Sequence, residues 1–233
     1  MGLGFTVGIQ HAFEPDHISA VSTQISKSKL AKRSTRQSIK ELLTKSSLIG
    51  MLWGAGHTTA LVLIGFLAYA FAIRIHDQVF VGLEFAVGIM LVFLGITAIL
   101  NKKIRFKHKH PHQHNDGSIH FDEHQHNNFE HDHSHRSYVI GLVHGLAGSG
   151  SLIVLTASTF DNVGMILGFI AIFGIGSMIG MALIGSMIGI PLVFGNRVKM
   201  IQKSFRYVAG GFSIIIGLSI MYQIGLIGHL FGI

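Results

Sequence analysis

The chain has 233 residues; 49% are hydrophobic, only 12% are charged, 29 are glycine, the mean hydropathy is +0.52 and the formal charge is +7. A soluble domain carries about 25% charged residues, so this composition argues for an all-α integral membrane protein rather than a water-soluble one. The absence of cysteine excludes disulfides, thiolate metal sites, iron–sulfur clusters and cysteine-based electron relays.

Six apolar runs fall at about 2–24, 47–72, 79–100, 137–159, 163–195 and 205–228, and each is expected to cross the bilayer as a helix. The first begins without a basic region and contains polar residues, so it is expected to stay in the protein rather than act as a cleaved signal. It carries His11-Ala-Phe-Glu14-Pro15-Asp16-His17. Ionisable groups at membrane depth are costly and mark function by default. On a regular helix His11, Glu14 and His17 share one face. Pro15 cannot donate to the carbonyl of His11, so the helix is expected to be broken here, with the His11 carbonyl freed and Asp16 turned inward. Two imidazoles with carboxylates form an N/O donor set suited to Ni(II), Co(II), Zn(II) or Cu(II), and poorly suited to Cu(I). The alternative is a hydrogen-bonded polar cluster that only joins helices.

The second run holds His57-Thr58-Thr59 near its middle, and His57 either completes the site or packs helices. Glu84, near one end of the third, reads equally as an outer-gate ligand or an interfacial acid. His144 in the fourth run reads as a packing residue or a secondary site member. The fifth run is too long for one straight span, and Gly189-Ile-Pro191 is expected to end or kink it.

Of the 18 basic residues, 17 lie in the connections between runs 1 and 2, 3 and 4, and 5 and 6. The positive-inside rule makes these connections cytoplasmic and both termini external. The basic excess is thus a topology signal, with lipid as the surrounding partner and no nucleic acid required.

The two halves echo one another. Gly8-Ile-Gln-His11-Ala matches Gly141-Leu-Val-His144-Gly; Trp53-Gly-Ala-Gly-His57 matches Phe173-Gly-Ile-Gly-Ser177; and Gly88–Gly95 matches Phe212–Gly217. Three spans per half give a 3+3 inverted-topology repeat, as in secondary transporters with a midplane site. The domains are then residues 1–100, a His-rich cytoplasmic loop at 101–136, and residues 137–233. The loop places His108, His110, His112, His114, His120, His124, His126, His131, His133 and His135 among polar residues. Neutral imidazoles bind Ni, Co, Zn and Cu without fixed geometry, so the loop signals metal traffic as a buffer, chaperone or sensor.

At His11-x4-Asp16-His17 the chain resembles the nickel/cobalt transporter superfamily. Gly-His57-Thr-Thr resembles its second-helix element, and Gly141-Leu-Val-His144-Gly-Leu-Ala-Gly-Ser-Gly resembles the urease-accessory-type branch. The resemblance implies metal-site roles for His11, Asp16, His17 and His57, with Glu14 standing where many members have Asp. It implies uptake of Ni(II), and of Co(II) as a second cargo, with efflux as the alternative direction. The ion is cargo rather than cofactor, and cytoplasmic nickel-handling proteins are the partners such a carrier would meet. A membrane metalloenzyme is disfavoured, because His-Glu-x-x-His and desaturase His boxes are absent.

Overall fold

In a computed structural model the chain is described at residues 2–27, 36–70, 77–101, 112–113, 119–120, 132–146, 163–195 and 199–227. Seven α-helices account for nearly all of it: α1 Gly2–Ala12, α2 Pro15–Ser26, α3 Arg36–Ala70, α4 Asp77–Ile99, α5 Asp132–Gly145, α6 Val163–Gly195 and α7 Lys199–Tyr222, the last followed by a π-helical turn at Gln223–Ile227. Two short strands, β1 His112–Gln113 and β2 Ile119–His120, pair antiparallel with His112 opposite His120. Among the described residues, four helices are long and apolar enough to cross a bilayer: Ile39–Leu67, Gln78–Ile99, Gly164–Leu192 and Met200–Gly225. The shortest has 22 residues, or about 33 Å at 1.5 Å per residue, enough for a hydrocarbon core of about 30 Å.

These helices present Leu63 and Phe66, Ile89 and Phe93, Ile179 and Leu183, and Ile215 and Leu218 outward, the faces that lipid would cover. Inward, α3 packs along both α5 and α6, α1 lies on α6, α4 on α7, and α2 against α7 and α4. Small residues permit this closeness. A Cβ on Gly8 would collide with the Phe173 carbonyl, and one on Gly141 with the Trp53 carbonyl. Gly56 rests in the same way on Tyr138, and Gly176 on Phe5. Between α4 and α7, a Cβ on Gly88 would lie 2.9 Å from the Gly217 carbonyl oxygen, and one on Gly95 2.5 Å from that of Gly210.

The first helix is broken at the motif. Phe13 N–H donates to the Gln10 carbonyl (3.0 Å) and Glu14 N–H to the His11 carbonyl (3.1 Å), closing α1 with tight i→i+3 turns. Glu14 is extended (φ −62°, ψ 143°), as a residue before proline must be, and Pro15 opens α2, where its missing N–H costs nothing. The expected free His11 carbonyl is therefore a misreading. Pro15 does not take it, but the turn delivers the Glu14 N–H in its place.

Three further expectations are corrected. The fifth run is not ended at Gly189-Ile-Pro191; α6 stays helical through Pro191 to Gly195. Gly185 and Gly189 seat that stretch directly on Ser46 of α3. The second helix starts at Arg36, ahead of residue 47, and the fourth at Asp132, ahead of 137; polar and basic turns extend both beyond their apolar runs. Residues 147–159 of the fourth run lie outside the described residues, as do His108, His110, His114, His124, His126 and His131. His133 and His135 fall in the first turn of α5.

Just past α2, the Lys27 ammonium donates to Thr97 Oγ1 of α4 at 2.6 Å. Burial, and secondarily the nearby Arg136 charge, push its pKa from 10.5 down to about 8. Below pH 8 Lys27 is charged in both folded and unfolded chains and its burial cost is present in full. Between about 8 and 10.5 the folded state releases the proton first, so stability rises with pH there. Lys27→Met should raise the melting temperature at pH 7 and flatten that rise, read by thermal denaturation in detergent from pH 7 to 10.5. A second expectation concerns packing. Gly141→Ala should destabilise by about 1–3 kcal/mol, the usual cost of overpacking, because a methyl there meets backbone that cannot step aside. Gly82→Ala, with nothing within 4 Å of the new methyl, should be neutral or mildly stabilising.

Candidate metal centre

The break between α1 and α2 carries His11 and His17 on two different helices and points both rings inward. Their centroids lie 4.4 Å apart at 70°. His57 enters from α3 and His144 from α5. His11 is 5% exposed, while His17, His57 and His144 are fully buried. Four imidazoles packed out of water in an apolar interior need hydrogen-bonding or ligand partners.

Two carboxylates supply part of that need. Glu14 Oε1 lies 2.7 Å from His11 Nδ1, and Asp16 Oδ1 lies 2.9 Å from His17 Nδ1. The second Asp16 oxygen lies 2.9 Å from His144 Nε2. An ionised carboxylate only accepts, so the facing ring nitrogens carry hydrogen: Nδ1 of His11 and His17, and Nε2 of His144. In neutral rings that leaves unprotonated Nε2 atoms on His11 and His17, the first of them hydrogen-bonded to His57. His11 Nε2 faces His57 Nε2 at 3.3 Å. His17 Nε2 is buried and has no hydrogen-bond partner among the described residues.

Ligand atoms of His11, His17 and His57 all lie within 4.8 Å of one another, as do those of Asp16, His17 and His144. Two nitrogens each about 2.0–2.1 Å from a shared ion stand about 2.9–3.4 Å apart, by cis-octahedral or tetrahedral geometry. The 3.3 Å gap between His11 and His57 fits that range. The carboxylates behind the rings orient them and raise their basicity, the usual second layer of a histidine metal site.

Of the sequence-derived candidates, the fold brings His11, Glu14, Asp16, His17, His57 and His144 into one region. Glu84, partly exposed on α4, makes no hydrogen bond with them among the described residues. His144, which the sequence presents as a packing residue or a secondary site member, lies against Asp16, and Trp53, which the sequence does not single out as a site residue, joins the rings. The indole stacks on His57 at 5.3 Å and 12°, and meets His17 and His144 edge-on at 5.0 Å each. Its spacing of four residues from His57 on one helix face was the available signal. Phe173 of α6 covers His11 at 5.3 Å.

Trp53 is also the only tryptophan in the chain, which makes the centre visible to fluorescence. Paramagnetic Ni(II) or Co(II) held among these imidazoles should quench Trp53 emission, whereas ions held elsewhere should not. His57→Ala should weaken the quenching titration at least tenfold; an unchanged titration curve would place the bound ion elsewhere.

Comparison with known proteins gives the setting. Residues 19–219 match the family model described as the cytochrome c biogenesis protein transmembrane region. The chain is 37% identical over 229 residues to the urease accessory protein UreH of Bacillus sp. (strain TB-90), covering 98% of this chain and 93% of the relative. These matches are to a transmembrane family and an accessory protein, not to a catalytic enzyme. No solved structure is significantly similar. The chain is thus a multi-pass membrane protein that belongs to the cytochrome c biogenesis transmembrane-region family and is a relative, over nearly its whole length, of a urease accessory protein.

Proposed function

We propose that this protein is a secondary transporter that takes divalent transition-metal ions into the cytoplasm, Ni(II) first and Co(II) as a second cargo, through His11, His17 and His57. The observation that carries the reading is the buried three-imidazole cluster, two of whose rings are held by carboxylates so that their lone pairs converge. Glu14 and Asp16 act as the groups that hold those rings, and Asp16 remains close enough to ligate. A relative that serves urease, a nickel enzyme, fits a supply role.

The architecture we infer is six crossings in a 3+3 inverted repeat, with halves at 1–100 and 137–233 joined by a His-rich loop at 101–136. Support comes from reciprocal contacts: Gly8 on Phe173 and Gly141 on Trp53 are one contact made twice with the halves exchanged, as are Gly56 on Tyr138 and Gly176 on Phe5. The 11 residues of α1 and 12 of α2 together have the length of one span. Sidedness follows from the basic connections: termini outside, loop inside. The ten loop imidazoles would then receive ions released at the inner face and pass them to cytoplasmic nickel-handling proteins. An inside-negative potential favours entry by about 2.3 kcal/mol per charge per 100 mV, or about 4.6 kcal/mol for a dication.

Cells expressing the wild type should accumulate nickel above vector controls, and His11→Ala or Asp16→Ala should return accumulation to the control level. Equal accumulation in all three lines would sink the proposal. Lowered metal content on expression would select export through the same site.

A further inference from the structure

We propose that Asp16, His17 and His144 form a second metal subsite, and that an ion passes from the three-imidazole site to it across the shared ring of His17. The inference rests on the transport reading and says how the ion leaves the first site. His144 is its new element, because among the described residues it is the one His or carboxylate at the centre that comes from the second half of the chain.

The geometry is that of a site already gathered. His17 stands between the two groups, with ring centroids 4.4 Å from His11 on one side and 4.7 Å from His144 on the other. Its Nδ1 meets Asp16, and we assign its buried, unpartnered Nε2 to the cluster with His11 and His57. Asp16 holds His17 Nδ1 and His144 Nε2 with its two oxygens, each at 2.9 Å. Those separations equal the distance between adjacent ligands on one ion with bonds near 2.0–2.1 Å. An ion bound there would replace the two protons that fill these hydrogen bonds. His144 is fully buried, and its Nδ1 has no hydrogen-bond partner among the described residues, so it is free to take up a proton.

Transfer needs no net proton exchange. As the ion leaves Nε2 of His17 for Nδ1, the Nδ1 proton moves to Nε2. The Nε2 proton of His144 likewise moves to its own Nδ1. Both rings stay neutral, and Asp16 exchanges two hydrogen bonds for one metal bond. The donor set changes from three nitrogens to two nitrogens and a carboxylate. A pair of adjacent sites that cannot both use one nitrogen of His17 holds an ion firmly enough to enter and weakly enough to leave, as conduction demands. A purely structural role for His144, anchoring Asp16, is the competing account, and the test separates the two.

The experiment uses the full chain in detergent with free Co(II) set by a chelator buffer, Trp53 quenching for equilibrium binding, and Co(II) flux into proteoliposomes. His144→Ala should leave binding within about threefold of wild type while flux falls at least tenfold. His57→Ala should bind more weakly through the second subsite, and adding His144→Ala to it should remove quenching altogether. His144→Gln restores a donor to Asp16 without an imidazole. Flux lost in that variant supports a ligand role, and flux restored to wild type overturns it. Quenching in His57→Ala that is indifferent to His144→Ala also overturns the proposal. If His11→Ala and His57→Ala change neither binding nor flux, the transport reading itself fails instead. Each variant is checked for a wild-type melting profile, and His144→Gln carries the decision should His144→Ala misfold.

Discussion

The site depends on a local constraint imposed by Pro15. A proline in mid-helix cannot supply the N–H its turn requires, and it pushes the residue before it into extended backbone. Glu14 adopts that conformation, α1 closes three residues early, and α2 restarts with proline at its first position. The two pieces need not share one axis. His11 and His17, six residues apart, can therefore approach to 4.4 Å and face α3 together. An unbroken helix would separate them by about 9 Å along its axis. Exposed backbone at membrane depth survives only where protein or a cavity satisfies it, and here the tight turns do so while Trp53, Phe173 and the opposing helices cover the rings.

What surrounds the break is a set of close helix approaches rather than a conventional core. Gly8, Gly56, Gly141 and Gly176 bring backbone against backbone, which draws α1 and α5 onto α6 and α3 and leaves the four imidazoles in the space between them. The apolar cluster of Ala20, Val21, Ile25, Trp53, Leu91 and Met181 then seals one side of that space. Packing and chemistry are thus linked through single positions. Trp53 meets Gly141 at its carbonyl and stacks its indole on His57, so a disturbance at the glycine contact would reach the His57 ring.

Much of this was legible in the sequence, for identifiable reasons. The apolar runs and their glycine spacing gave helices, and four polar residues in seven positions gave the motif. Pro15 gave the break, because its effect on backbone is local. The partner of the His11 carbonyl was not legible, since it depends on how the chain turns at Glu14. The helical course of α6 through Pro191 was hidden as well, because its packing against α3 exists only in the folded chain. That His144 meets Asp16 was hidden for the same cause. Its meaning comes from Asp16, 128 residues earlier in the chain, and no periodicity records such a meeting.

The inferred repeat explains why the centre is lopsided. An exchange of halves carries His11 to His144 and His57 to Ser177, and the same sequence offset carries Asp16 and His17 to Ser149 and Gly150. A symmetric pair of halves would present equal donors to both faces of the membrane and hold an ion equally well facing either way. Here the first half keeps three imidazoles and two carboxylates, while the second keeps one imidazole and a buried hydroxyl at Ser177. Alternating access built on rocking halves changes which residues face each side while the chemistry of each half stays fixed. A site that is rich on one half and sparse on the other must therefore bind differently in its two states. Under the proposed transport reading, such an asymmetry would give the loaded ion a preferred state, and among the described residues His144 is the imidazole through which the second half would take part in setting it.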